Sequence, residues 1–142
     1  MKANELMIHN YVSFEGHPVC VTKIGLTGVE GYLYKNDTLH DVKLKYEDIE
    51  PIPITEELLL KNGFNKEVES FFGEAISLPY YRLTLSEEVY VLDFFYKDGE
   101  FGNKHCVRNK NKLYNADISH LHQLQNLCNI AGVELELNID KL

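Results

Sequence analysis

Apolar positions in the first fifty residues come in short groups separated by glycine, amide and charged residues. The groups are Tyr11-Val12, Val19-Cys20-Val21, Ile24, Tyr32-Leu33-Tyr34 and Val42-Lys43-Leu44-Lys45-Tyr46, with Gly25, Gly28 and Gly31 among them. The last group alternates with period two, as a strand with one buried face does. The spacing predicts four or five short strands, with Asn36-Asp37 as the turn between two of them. So many turns in so few residues predict a small, strongly curved sheet over residues 1–50, a partly open SH3-like barrel.

Pro51-Ile52-Pro53 lacks two backbone donors and has two fixed φ angles, which predicts a stiff extended connector. A short helix follows it, completing a segment over 51–64. Thr55 is placed to cap that helix, and Glu56 and Glu57 sit at the positive end of its dipole. Leu58, Leu59 and Leu60 supply its buried stripe. Gly63 suits the left-handed position after its end, with Phe64 folding back on Leu59 in a Schellman stop.

Residues 65–75 read as either a helical turn or a loop carrying Phe71-Phe72. Strand patterns return over 76–85, 89–97 and 100–107, and Asp98-Gly99 is a strong hairpin signal between the last two. Pro79 predicts an edge strand or a bulge. The run Val89-Tyr90-Val91-Leu92-Asp93-Phe94-Phe95-Tyr96 is apolar on nearly both faces and predicts a central strand. A helix follows from Asp117 or Ser119 to Ala131, stopped by Gly132, and 133–139 alternates as a final strand. The fold class is therefore α+β. A small SH3-like β unit leads into an antiparallel meander with a packing helix and a last strand over 65–142, and it stays open whether the units share one core.

The C-terminal helix has unusual surface chemistry. Leu121, Leu124, Leu127, Cys128 and Ala131 form its apolar face, while His122, Gln125, Asn126 and Asn129 recur at i, i+3, i+4, i+7. Nothing from Ile118 through Val133 is Lys, Arg, Asp or Glu. A water-facing helix surface ordinarily carries charges that favour helix and solubility. Amides and an imidazole offer directional donors and acceptors without the desolvation cost of a charge, which suits a semi-buried surface. That surface is either a hydrogen-bonding platform for a ligand or partner, or a face covered by the N-terminal unit whose amides satisfy backbone groups.

Fourteen Lys and Arg against twenty-two Asp and Glu give a formal net charge of −8 over 142 residues. That field disfavours coating of extended nucleic acid but leaves room for a local patch of opposite sign. Between Lys97 and Lys112 five bases face two acids, whereas Glu47 to Glu57 carries five acids and no base. The longest apolar runs fall far short of the ~20 residues of a membrane-spanning helix, and the opening residues have no signal-peptide pattern, so a cytoplasmic protein is expected. Cys20, Cys106 and Cys128 have no C-x-x-C spacing and read as reduced, buried thiols.

Asn103 to Lys112 alternates bases and amides. A single strand there places Lys104, Arg108, Lys110 and Lys112 on one face, either as a phosphate-binding ridge or as a lysine-protected edge. Tyr80, Tyr81, Tyr96, Phe101 and Tyr114 are rings that stack on a base or fill the core. Enzymatic motifs are absent: no Walker loop, G-x-G-x-x-G, G-x-S-x-G or H-E-x-x-H occurs. His120 and His122, at i and i+2, point ~200° apart on a helix, unlike a helical metal pair. His105 with Asp93 or Asp117 is a candidate acid–base pair for a small hydrolase. No residue is singled out as catalytic and no cofactor or metal is expected, while Lys104, Arg108, Lys110, His122, Gln125, Asn126 and Asn129 are the residues expected to bind a ligand.

Three segments, MKANELMIHNYV, IEPIPITEELLLKNGF and HLHQLQNLCNIAGVELEL, together about a third of the chain, carry a resemblance to known sequences. The chain resembles a family of small uncharacterised proteins from gut Bacteroidetes and their phages and mobile elements. It departs from that family's bulky residues after Gln-Asn-Leu, at Cys128 and Asn129. The resemblance implies a mobile-element setting, hence an accessory or anti-defence factor, and assigns no site residue. Two functions follow as expectations. One is a non-enzymatic binder of a nucleotide-like phosphorylated ligand, and the other is a protein-interaction, inhibitor or self-associating module.

Overall fold

The computed structural model describes the backbone of residues 1–71, 76–96 and 100–142 and the side chains of 1–67, 80–91 and 105–142. The chain divides into two compact units. One comprises Met1–Ile54, His120–Asn126 and Glu136–Leu142, the other Thr55–Ser119 and Leu127–Leu135. The class is α+β, mostly antiparallel sheet with two α-helices among the described residues.

The first unit is built on β1 (Tyr11–Phe14), β2 (His17–Ile24), β3 (Gly28–Lys35), β4 (Thr38–Lys45) and β5 (Glu50–Pro51), in the order β4-β3-β2-β1-β5. Its tight turns use the residues that such turns demand. Asn36 and Asp37 have φ of 54° and 59°, and Glu15-Gly16 has 49° and 80°. Positive φ at both central residues matches the right-handed twist of the strands. A register shift between Val21 and Lys23 bends β2. The alternation then buries Val12, Val19, Val21, Val29 and Leu33 in one cluster with Leu6 and Ile49. Pro51 belongs to β5 rather than to a connector: it pairs with Val12 on an edge strand, where a missing N–H is tolerated.

The second unit holds α1 (Glu56–Lys61) and a five-stranded antiparallel meander. Its strands are β6 (Asn65–Phe71), β7 (Ile76–Ser86), β8 (Val89–Tyr96), β9 (Glu100–Asn109) and β10 (Lys112–Asp117), in sequence order across the sheet. The helix is punctuated as expected. Thr55 Oγ1 accepts from Leu58 N at 3.2 Å, Gly63 has φ +87°, and Phe64 N donates to Leu59 O at 3.0 Å. Residues 65–71 form neither a helical turn nor a loop but edge strand β6, while Phe72 lies outside the described residues. Pro79 pairs with Val68 of β6, and the register shift in β7 falls between Thr84 and Ser86. The Asp98-Gly99 turn also lies outside the described residues. Inward-facing Tyr81, Val91 and Val107 are fully buried, as is Leu59.

Helix α2 (Leu121–Ile130) starts later than expected. His120 forms an isolated bridge with Pro53, and its N–H donates to Gln123 Oε1 at 3.1 Å, half of a capping box. The C-terminal end is another Schellman stop: Gly132 has φ +72° and Val133 N donates to Cys128 O at 2.8 Å. Leu121, Leu124, Leu127, Cys128 and Ala131 are buried. The segment 133–139 is a correction. It keeps its alternation, with Glu134, Glu136 and Asn138 exposed, yet forms no strand and ends in a 3-10 turn over Ile139–Lys141. Period-two burial reports which side faces inward; a strand also needs a neighbouring backbone to pair with. Among the described residues no helix is long and apolar enough to cross a membrane.

Candidate ligand-binding site

Within the first unit, the neutral residues of α2 meet the segment that leads into β1. That segment is irregular: His9 has φ 72°, and Asn10 N turns back onto Met7 O at 3.1 Å. Its remaining backbone groups need partners from elsewhere. Gln125 Oε1 accepts from Tyr11 N at 2.9 Å while Gln125 Nε2 donates to His9 O at 3.1 Å. Asn126 Oδ1 accepts from the buried Asn10 Nδ2 at 2.9 Å, and Asn126 Nδ2 donates to Glu5 O at 3.2 Å. Each side-chain amide acts as a peptide group does, one donor and one acceptor on a single plane. Neither Lys nor Glu offers both, which is why this face carries no charges. Of the two readings of the face, coverage by the N-terminal unit is the one these contacts fit, since Gln125 and Asn126 are engaged by the chain itself. Asn129 is exposed and lies in the part of α2 assigned to the second unit.

His122 is buried, at 5% exposure, and its Nδ1 has no hydrogen-bond partner among the described residues. The structure also corrects the expected divergence of the two histidines: the His120 and His122 rings stack with centroids 6.1 Å apart. His120 sits before the first turn in bridge geometry, so helical spacing does not govern its direction. Burial lowers the pKa of His122, the charge of His120 adds to that, and Glu5 opposes it. A histidine with a depressed folded pKa binds fewer protons folded than unfolded. Its contribution is therefore intact above the ordinary value of about 6.5 and is lost as pH falls below it. Urea midpoints are expected to fall between about pH 7.5 and about pH 5.5. His122→Gln should flatten that part of the profile, and an unchanged slope would contradict the assignment.

The predicted basic ridge is rearranged. Arg108 lies near the end of β9, Lys110 is in the two-residue turn at φ 58°, and Lys112 opens β10 opposite Asn109. The four bases therefore do not share one strand face, because the turn at Lys110-Asn111 breaks the alternation. Lys104 pairs in register with Asp117, and its side chain lies outside the described ones. Lys110 and Lys112 are exposed.

What the sheet does assemble is a cluster around Tyr90. Thr84, Tyr90 and Arg108 stand opposite one another across β7, β8 and β9. Arg82, two residues before Thr84, shares their face because side chains alternate along a strand. The Arg82 guanidinium carbon lies 4.4 Å from the Tyr90 ring centroid and that of Arg108 lies 5.8 Å away, both within cation–π range. Each arginine is anchored through Nε: Arg82 donates to Thr84 Oγ1 at 3.0 Å and Arg108 to Lys110 O at 2.8 Å. Arg108 Nη1 also donates to the Tyr90 hydroxyl at 3.5 Å, which raises the guanidinium pKa, and the more distant charge of Glu88 adds to this. Arg82 and Arg108 are the only arginines of the chain. Among the described residues every ion pair uses a lysine, and neither arginine is paired with a carboxylate. The sequence singled out Arg108 but not Arg82. The available signal was that Arg82, one of only two arginines, is the sole charged residue of its strand.

The other chemical candidates resolve simply. His105 is buried and stands opposite Asp93 on β8 and Ala116 on β10. Asp117 is the next residue along β10 and so faces the other side of the sheet from His105. All three cysteines are free, and burial raises each thiol pKa, that of Cys128 to about 12. Thiols held protonated in this way are poor nucleophiles. Groups of three or more metal-ligating side chains are absent among the described residues. No family model, no characterised protein and no solved structure matches this chain.

Proposed function

We propose that this is a non-enzymatic binding protein that captures a small phosphorylated, nucleotide-like ligand on the Arg82–Tyr90–Arg108 face. The observation that carries the reading is the pairing of the chain's only two arginines over one tyrosine, with neither ion-paired to a carboxylate among the described residues. A guanidinium fork matches phosphate oxygens bidentately. Anchoring through Nε fixes each fork before the ligand arrives, which lowers the ordering cost of binding. Lys110, exposed in the adjoining turn, adds positive charge to the approach. The resemblance to small proteins of gut Bacteroidetes and their phages supplies the setting, an accessory or anti-defence role in the cytoplasm. We read the first unit as SH3-like, supported by the β4-β3-β2-β1-β5 order of short strands and the bend in β2.

A protein partner is the second reading, favoured by Tyr32 and Leu39 of the first unit, 45% and 56% exposed. Salt separates the two, because a phosphate on arginines is screened and an apolar contact is not. Titration with cyclic di- and trinucleotides by native mass spectrometry and calorimetry is expected to find one that binds. Arg82→Ala or Arg108→Ala should weaken it about tenfold to hundredfold. Arg→Lys at either position should recover only part of that loss, since lysine keeps the charge without the fork. Affinity that is unaffected by both alanine variants, or by added salt, would overturn the proposal.

A further inference from the structure

The sheet of the first unit ends on an open edge. In the order β4-β3-β2-β1-β5, strand β4 has a neighbour on one side only among the described residues. Six of its eight residues are exposed, and the other two, Val42 and Leu44, are half-buried. Which backbone groups point to that edge follows from the turn before it. The two-residue Asn36-Asp37 turn closes on a hydrogen-bonded pair, Lys35 with Thr38, and the β3–β4 register then runs without a shift to Gly28 with Lys45. Hydrogen-bonded pairs therefore recur at His40, Val42 and Leu44. Tyr46, next in that series, donates its N–H to Thr27 O at 3.4 Å. The N–H and C=O groups of Leu39, Asp41, Lys43 and Lys45 point the other way, toward the open edge.

The side chains of those four residues limit what can add there. They share the outward face of the sheet with Glu30 and Tyr32 of β3. On that face Lys23, Glu30 and Lys43 form one row across three strands, with Glu30 3.4 Å from Lys23 Nζ and 3.3 Å from Lys43 Nζ. Asp41 is exposed and enters no ion pair among the described residues. Lysines on an edge ordinarily guard it by setting like charges against an incoming strand. On β4 they leave open the antiparallel register that uses the strand from Leu39 to Lys45. With Val42 opposite Val42 of a second copy, each Lys43 faces the other copy's Asp41 and each Leu39 faces the other copy's Lys45. The charged row then runs Lys23, Glu30, Lys43, Asp41, alternating in sign across the join. A slip of two residues sets Asp41 against Asp41 in one direction and Lys43 against Lys43 in the other, both repulsive. In the favoured register the edge N–H groups of all four residues meet carbonyls. On the inward face Val42 meets Val42 and Leu44 meets His40, which extends the half-buried apolar surface.

We propose that a second copy of this chain adds to β4, strand to strand and antiparallel, about a two-fold axis at Val42. One strand pair buries less than the ~1,200 Å² of a stable interface, so the dimer is weak, with a dissociation constant of about 10–100 μM. Sedimentation of the full chain should show a monomer–dimer equilibrium across that range. As the dimer fills, amide exchange should slow at Leu39, Asp41, Lys43 and Lys45, and should change little at His40 and Val42, whose N–H groups are already bonded to β3. Lys43→Pro removes an edge N–H without touching those bonds, so it should fold and stay monomeric. Asp41→Lys and Lys43→Asp each oppose like charges across the axis and should each weaken self-association about tenfold. Mixed in equal amounts, the two variants face each other with unlike charges at both positions and should dimerise as the parent does. Variants that merely failed to fold would show no such recovery. Arg82→Ala with Arg108→Ala should leave the dimer unchanged, which separates this interface from the ligand site proposed above. A monomer at about 1 mM, slowed exchange along β10 in place of β4, or no recovery on mixing folded charge variants would each overturn the proposal.

Discussion

Alanine at Gln125 and at Asn126 is expected to destabilise the protein by about 1–2 kcal/mol each and by about 2 kcal/mol together. Both bonds of each amide are made to the chain, but they differ in weight. Tyr11 N and the buried Asn10 side chain lose partners that water replaces poorly, whereas the carbonyls of His9 and Glu5 lie at more exposed bonds. The double loss should be less than the sum, because all four partners lie on one segment that can come loose as a piece. Urea unfolding should show lower midpoints with unchanged slopes. Gln125→Glu is the sharper probe. It keeps the acceptor for Tyr11 N but turns the donor facing His9 O into a second, charged acceptor, so it should cost at least as much as alanine. A flat urea series for Gln125→Ala and Asn126→Ala would mean that the segment holds its place without α2.

The same contacts show where the sequence is legible and where it stops. That α2 presents a neutral face could be read from its composition, since an uncharged stretch from Ile118 through Val133 demands a semi-buried surface. What covers it could not, because the partners of Gln125 and Asn126 lie 114 to 121 residues earlier in the chain. Local punctuation was readable wherever backbone geometry restricts residue type: Thr55 and Gly63 around α1, Gly132 after α2, Asn36-Asp37 between β3 and β4. Strands β6 and β10 escaped for the opposite reason. Edge strands carry Lys, Glu and Asn against stray pairing, and that dilutes the apolar alternation by which strands are recognised. The alternation over 133–139 was real but reported burial alone. The arginine cluster needed two hairpin registers, β7 to β8 and β8 to β9, before Arg82 and Arg108 could be placed on one ring.

Gly28→Ala and Gly31→Ala are expected to be the most damaging single changes in the first unit, about 3 kcal/mol or more each. Neither glycine has positive φ, so conformational freedom is not what they provide. A Cβ on Gly28 would lie 2.0 Å from Leu44 O and 2.9 Å from Lys45 Cα. On Gly31 it would lie 2.2 Å from Cys20 O. These neighbours are backbone atoms of the flanking strands, which cannot rotate aside as a side chain can. Relief requires prying β3 from β4 or from β2, and with it Val29 and Leu33 from the cluster that holds Val12, Val19 and Val21. Gly16 supplies the contrast. Its φ is +80° and an added methyl would have nothing within 4 Å among the described residues, so Gly16→Ala meets only the left-handed penalty, about 1 kcal/mol. Urea midpoints should rank Gly16→Ala well above the other two variants. If Gly28→Ala and Gly31→Ala instead melt close to the parent protein, the strands of this sheet do not approach one another as closely as their registers require.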